Sequence, residues 1–168
     1  NEGGQWALYD TTSANPADID APEAWERTTG NGQNYYIGII DHGVHLDHQD
    51  LQGRIEGDTP WAGSTHGTEV AGIIGAVTDN GYGMAGINWS APMYSHDIQG
   101  YNTSQVCNLI ESLLEDPHYY LLNCSWVIDN YMNWLLDQTI SNAVKLGFSI
   151  IAGRGNNGNT DPFYPACL

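Results

Sequence analysis

Positive charge is what this 168-residue sequence has least of. Four Lys and Arg stand against 20 Asp and Glu, a formal charge of −16. A surface of that sign repels nucleic-acid phosphates and anionic lipid, so neither nucleic acid nor a membrane is expected as a partner. It favours solubility and, where carboxylates converge, a cation such as calcium; most of the carboxylates read as a solvated face. Long apolar runs are also missing, and no segment reaches the ~18 residues that a membrane-spanning helix needs. Residues 1–9 lack a basic stretch followed by an apolar one, so no secretory leader is visible; that suits a cytoplasmic protein and equally a processed mature one. Cysteine is scarce, with Cys107, Cys124 and Cys167 only. An odd count leaves at least one thiol unpaired within the chain. Cys124, in an apolar run, reads as a buried free thiol. Cys107 and Cys167 are left to pair with each other or with a segment outside the chain. No CxxC or Cys/His spacing suggests structural zinc.

What is present is enough apolar residue for a sizeable core, 41% of the chain, and a length that suits one domain. After a polar, turn-rich start with a short helix near Pro22, residues 35–40 form an apolar, largely β-branched and aromatic run that reads as a buried strand ending at Asp41. Residues 66–76 read as a helix of small and apolar residues, and 78–86 as a Gly/Asn/Asp loop. A strand over 93–98 and a helix over 104–115 follow, the latter with Leu109, Ile110, Leu113 and Leu114 on one face. Residues 119–127 read as a second strong strand. Met132, Leu135, Leu136, Ile140, Ala143 and Val144 then recur at helical spacing, with Lys145 and Gly147 as stop signals. Residues 148–152 form a third strong strand. Strands alternating with helices predict an α/β domain with a parallel sheet covered on both faces. In such sheets function collects at the carboxyl ends of strands, where Asp41, Ser125 and Asn156 fall.

The chemistry lies in that set. A carboxylate fixed directly after a buried strand can orient a histidine and stabilise its imidazolium, and His66 opens a helix as His-Gly-Thr. Asn156, in a Gly-rich turn after another strand, can donate to a developing oxyanion. Four segments carry a specific resemblance. Ile-Ile-Asp41-His42-Gly43-Val, followed by Asp50-Leu51, resembles the Asp motif of the subtilisin-like serine proteases, and His66-Gly67-Thr68-Glu69-Val70-Ala71-Gly72 resembles their His motif. Asn123-Cys124-Ser125-Trp126 resembles their substrate-binding strand, and residues 152–158 resemble their oxyanion-hole segment. The order is the family's, and the likeness runs from about Pro16 to Pro165. It implies a subtilisin-like parallel sheet with helices on both faces, incomplete in this chain. Residues 1–168 would then be the N-terminal portion of one catalytic domain. It implies that Asp41 orients His66, that His66 shuttles the proton and that Asn156 holds the oxyanion. It also implies that Ser125, Trp126 and Val127 pair with a polypeptide substrate, that Gly100 and Tyr101 flank its other side, and that Gly153, Arg154 and Gly155 line the pocket for the residue before the scissile bond. No organic cofactor is implied, and the family's location implies an extracellular or cell-envelope protein.

The departures are informative. His42, Val127 and Arg154 stand where the family has small residues or Gly, and a guanidinium there narrows the pocket or favours an acidic side chain. The family's Gly-Thr-Ser segment is absent. The nucleophile would therefore come from a second chain or a downstream segment, this chain alone would be inactive, and the sheet would expose a hydrophobic edge. The alternative reading is an inactive subtilase-like domain that binds peptides or regulates a partner. The loop over 78–84 resembles a family calcium loop, with Asp50, Asn80 and Asp10 as side-chain ligands and an ordinary Gly/Asn turn as the plainer account. His42, His45 and His48 recur every third residue but surround Gly43 in a strand-to-loop context, so an exposed polar loop is the better account than a metal cluster. Of the six tryptophans only Trp126 has a motif that places it near substrate; the rest read as packing residues.

Overall fold

The computed structural model describes residues 4–10, 18–30, 34–60, 63–128, 133–158 and 163–167; Pro16 and Met132, named above, lie outside these. Five parallel strands form one sheet: β1 (Tyr36–Asp41), β2 (Ile55–Gly57), β3 (Met93–Asp97), β4 (Tyr119–Cys124) and β5 (Ser149–Ala152), in the spatial order β2-β3-β1-β4-β5. Among the described residues four helices accompany them: α1 (Ala21–Trp25), α2 (His66–Gly75), α3 (Thr103–Leu114) and α4 (Trp134–Lys145). The chain leaves β1 toward β2 and β3 on one side and later adds β4 and β5 on the other. The strand order therefore reverses between β1 and β4, which is where an open α/β sheet forms a crevice beyond its carboxyl ends.

The alternation along β1 decides the two cores. Ile39 and Ile40 are adjacent, both fully buried, and point to opposite faces. Ile39 packs with Val44, Leu51, Ile55, Ala71 of α2 and Met93. Ile40 packs with Val106 and Ile110 of α3, Leu136 and Ile140 of α4, and Leu122 and Cys124 of β4. Burying an isoleucine fully stabilises by about 1.5–3 kcal/mol, so neither residue tolerates a one-residue register slip that would exchange the faces. Local chemistry sets the helix starts. Asn102 and Gln105 form a reciprocal capping box on α3, and the Asn133 side chain accepts the Leu136 amide at the start of α4.

Several expectations are corrected. The strand expected over 119–127 ends at Cys124, because its neighbours end there too: β1 stops at Asp41 and β5 at Ala152, so residues 125–127 have no ladder on either side. The three-residue β2 and a 3-10 turn at Gln49–Leu51 were not expected; β2 is too short for periodicity and exists through its pairing with β3. On α4, Leu136, Thr139, Ile140 and Ala143 are buried, whereas Leu135 and Val144 are 37% and 57% exposed. Val144 borders a cavity of about 550 Å³ shared with Ile140, Ile150, Ala152 and Pro165. Beside it β5 is the edge of the sheet, and its Ile151 is 54% exposed, the uncovered apolar edge anticipated above. Cys107 and Cys167 are not paired: all three thiols are free, Cys107 lying in the α3 core and Cys167 at the surface.

Candidate functional site

Asp41, the last residue of β1, is 2% exposed. Its Oδ1 accepts two N–H groups at 2.7 Å, one from the His66 ring at Nδ1 and one from the His42 backbone. Its Oδ2 is buried without a hydrogen-bond partner. A buried oxygen left unmet costs about 1–3 kcal/mol, more when charged, and such exceptions in a folded protein ask for a reason. Here the orphaned oxygen belongs to the same carboxylate that holds the His66 ring. His66 is the first residue of α2, and its side chain is half exposed. With Nδ1 engaged by the carboxylate, that nitrogen carries the hydrogen and Nε2 is the ring's acceptor.

The approach of α2 to β1 depends on one missing methyl group. A Cβ on Gly67 would stand 2.2 Å from the Gly43 carbonyl oxygen and 3.3 Å from the Asp41 Cβ. Only glycine lets the helix start this close to the strand end and bring His66 onto Asp41. The next residue completes the brace: Thr68 Oγ1 accepts the His45 amide at 3.0 Å.

His66, Ser125, Trp126, Val127, Gly153, Arg154, Gly155, Asn156 and Asn157 line one cleft of about 420 Å³. Most of the candidates named from the sequence thus line one concavity, with Asn157 beside them. Gly100 and Tyr101 sit in the turn after β3, where the Tyr101 amide donates to the Ile98 carbonyl; they are not part of the cleft lining. The Gly153 amide donates to the Cys124 carbonyl at 3.1 Å, which ties the two cleft walls together just beyond β4 and β5. Ser125 is the one serine in the lining, and its hydroxyl accepts the Asn123 side-chain amide at 2.9 Å rather than engaging His66. Cys124 is no nucleophile either: burial, with the Asp41 charge adding to it, pushes its thiol up to about 12, so it stays protonated.

Below α2 a second set of oxygens converges. Asp50, 3% exposed, accepts from Asn80 Nδ2 at 3.0 Å and from the Met84 amide at 2.8 Å. Gly83 packs so closely that a Cβ there would fall 2.1 Å from Asp50 Oδ2. Gln5 reaches the same loop from the N-terminal arm, bonding both the amide and the carbonyl of Ala85. Asp10, also expected as a ligand, gives its backbone N–H to the Asp18 carboxylate. Gln5 is the residue that sequence reasoning missed, and no local signal marks it, since its partner is 80 positions away. The donor set (one carboxylate, two amides and loop carbonyls) fits a hard cation in kind. Among the described residues, however, no group of three or more His, Cys, Asp or Glu is placed to hold a metal.

Comparison with known proteins agrees with this geometry. A model of the Subtilase family matches residues 32–167. Thermitase of Thermoactinomyces vulgaris is 35% identical over 164 residues, covering 90% of this chain and 57% of that protein. A thermophilic serine proteinase of Bacillus sp. (strain AK1) is 31% identical over 155 residues, covering 85% and 38%. The chain thus spans less than two thirds of the length of the curated relatives it matches. Among solved structures, a protease from Pseudoalteromonas arctica superposes with a TM-score of 0.78 at 21% identity, over 96% of this chain and 60% of the other. The prenylagaramide maturation protease PagA gives 0.74 at 21% identity, over 89% and 56%. At that identity the likeness is one of fold, and the five-stranded parallel sheet with its helices is the subtilisin-like α/β fold. With the family model matching most of its length, the chain belongs to the subtilase family.

Proposed function

We propose that the full-length protein is a serine endopeptidase and that residues 1–168 form the N-terminal portion of its catalytic domain. The observation that carries this reading is the 2.7 Å contact between Asp41 Oδ1 and His66 Nδ1, made by a buried carboxylate and a ring that opens onto the cleft. In that arrangement Nε2 of His66 takes the proton from a serine hydroxyl as it attacks the substrate carbonyl, and Asp41 stabilises the imidazolium that results. His66 then returns the proton to the leaving amine. The Asn156 side-chain amide donates to the oxyanion of the tetrahedral intermediate. Residues 125–127, free of ladder partners, align the substrate backbone as an added strand. Ser125 is engaged by Asn123, so the nucleophile is assigned to a segment outside this chain, on the same polypeptide or on a second one.

A fluorophosphonate that reacts only with an activated serine tests the reading. The full-length protein is expected to label, His66→Ala to abolish labelling, and residues 1–168 alone to remain unlabelled. A folded full-length protein that binds peptides without labelling would instead be an inactive peptide-binding or regulatory domain. An extracellular or cell-envelope location is supported by relatives such as the minor extracellular protease Epr of Bacillus subtilis.

Asp50, Asn80 and Gln5 are the side chains that would hold a structural calcium ion, which would supply positive charge against the buried Asp50 carboxylate and brace the loop. Added calcium is expected to raise the melting temperature by mass action and a chelator to lower it. A melting temperature indifferent to both would leave the loop braced by its own hydrogen bonds alone.

A further inference from the structure

We infer that Arg154 makes the cleft selective for an acidic side chain at the residue preceding the scissile bond; this assignment rests on the peptidase reading above and deepens it. The cleft lining is otherwise short on charge: Ser125, Gly153, Gly155, Asn156 and Asn157 are neutral, and His66 is held by Asp41. Arg154 is the one guanidinium there, in a chain with only four Lys and Arg against 20 acidic residues. The other three basic residues are placed elsewhere. Arg54 spans the carbonyls of Gly75, Asn88 and Ala91. Lys145 borders the apolar cavity beside β5, and Arg27 lies just beyond α1. A carboxylate approaching the molecule therefore meets a repulsive surface almost everywhere, and a matching fork of N–H donors at this cleft.

Position supports the charge argument. Arg154 leaves β5 two residues before Asn156, so a peptide whose carbonyl is addressed by Asn156 carries its adjoining side chain past the guanidinium. Glycines flank Arg154 on both sides, and Val127 lines the same cleft, close to Gly155: a Cβ there would come 3.6 Å from its methyl. A cleft whose one basic lining residue other than His66 is a guanidinium suits an acidic side chain better than an apolar one. Arg154 also has a partner within the chain, so an incoming carboxylate shares or displaces it, and a measured preference includes that cost.

The experiment uses the full-length protein and two labelled peptides that differ only by Glu or Gln at the residue before the cleavage point. It measures Kd by fluorescence anisotropy and kcat/KM by cleavage. The Glu peptide is expected to be favoured about tenfold in either measure. In Arg154→Gln the ratio is expected to fall to one or below, because the acidic surface remains, and Arg154→Lys is expected to fall between. A ratio of one or less in the natural protein, or an unchanged ratio in Arg154→Gln, overturns the inference. The two readings fail separately. Cleavage without a charge preference removes this one and leaves the peptidase. Tighter binding of the Glu peptide without cleavage removes the peptidase and leaves this one.

Discussion

Two aspartates, nine residues apart in sequence, are buried almost equally and satisfied very differently. Asp50, at 3% exposure, has both carboxylate oxygens taken by N–H donors of the loop it anchors. Asp41, at 2%, has both of its donors on one oxygen and none on the other. Burial alone therefore does not distinguish the two. The unfinished hydrogen bonding does, together with a partner that is itself titratable and open to a cleft. Asp50 spends its charge on holding structure, whereas under the proposed peptidase reading Asp41 supports the proton that His66 takes up.

The largest expected effect breaks the Asp41 side of this comparison. Asp41→Asn keeps the shape and removes the charge, so under the peptidase reading the full-length protein is expected to lose about 10⁴-fold in kcat, the scale set by a neutralised triad carboxylate. Its thermal stability is expected to change little, since the lost charge had an unmet oxygen. A loss of stability with retained turnover would exchange the roles assigned to the two aspartates. Asp50→Ala is the counterpart. It strands the Asn80 amide and the Met84 N–H and is expected to cost about 2–4 kcal/mol. That amounts to about 5–10 °C in melting temperature for a domain of this size, while turnover per folded molecule stays close to that of the natural protein. Thermal melts and active-site titration on the same samples separate the two outcomes.

The same contrast explains what could be read from the sequence. Asp41 and His66 were legible because each is fixed by its immediate neighbours: a buried strand that ends, and a His-Gly pair whose glycine admits the Gly43 carbonyl. The parallel sheet was legible because β1, β4 and β5 are apolar runs separated by helical spacing. Distant partners decide what was not legible. The register of β2 comes from β3. Gln5 acts on a loop 80 positions away, and nothing in residues 4–10 announces it. Leu135 and Val144 fit the apolar spacing of α4 and yet stay exposed, because spacing reports which face a helix offers and not whether anything covers it.

The smallest expected effect sharpens the comparison with a third buried polar group. His96 on β3, 8% exposed, shares a 3.2 Å hydrogen bond with the Tyr119 hydroxyl and lies against the Tyr94 ring at 5.0 Å. Burial lowers its pKa below the ordinary histidine value, with the Asp58 charge opposing that shift in part. Between its folded pKa and about 6.5 the unfolded chain binds a proton that the folded chain does not. Stability is therefore full above about pH 6.5 and declines as the pH falls, by at most about 1.4 kcal/mol per pH unit from this group. His96→Gln retains a hydrogen-bonding side chain and removes the titration, so its urea-unfolding free energy is expected to vary less between about pH 5 and 7 than that of the natural protein. Parallel slopes for the two proteins would mean that His96 protonates as readily inside the fold as outside it. In that case the sheet would tolerate an imidazolium whose one hydrogen-bond partner there is the Tyr119 hydroxyl.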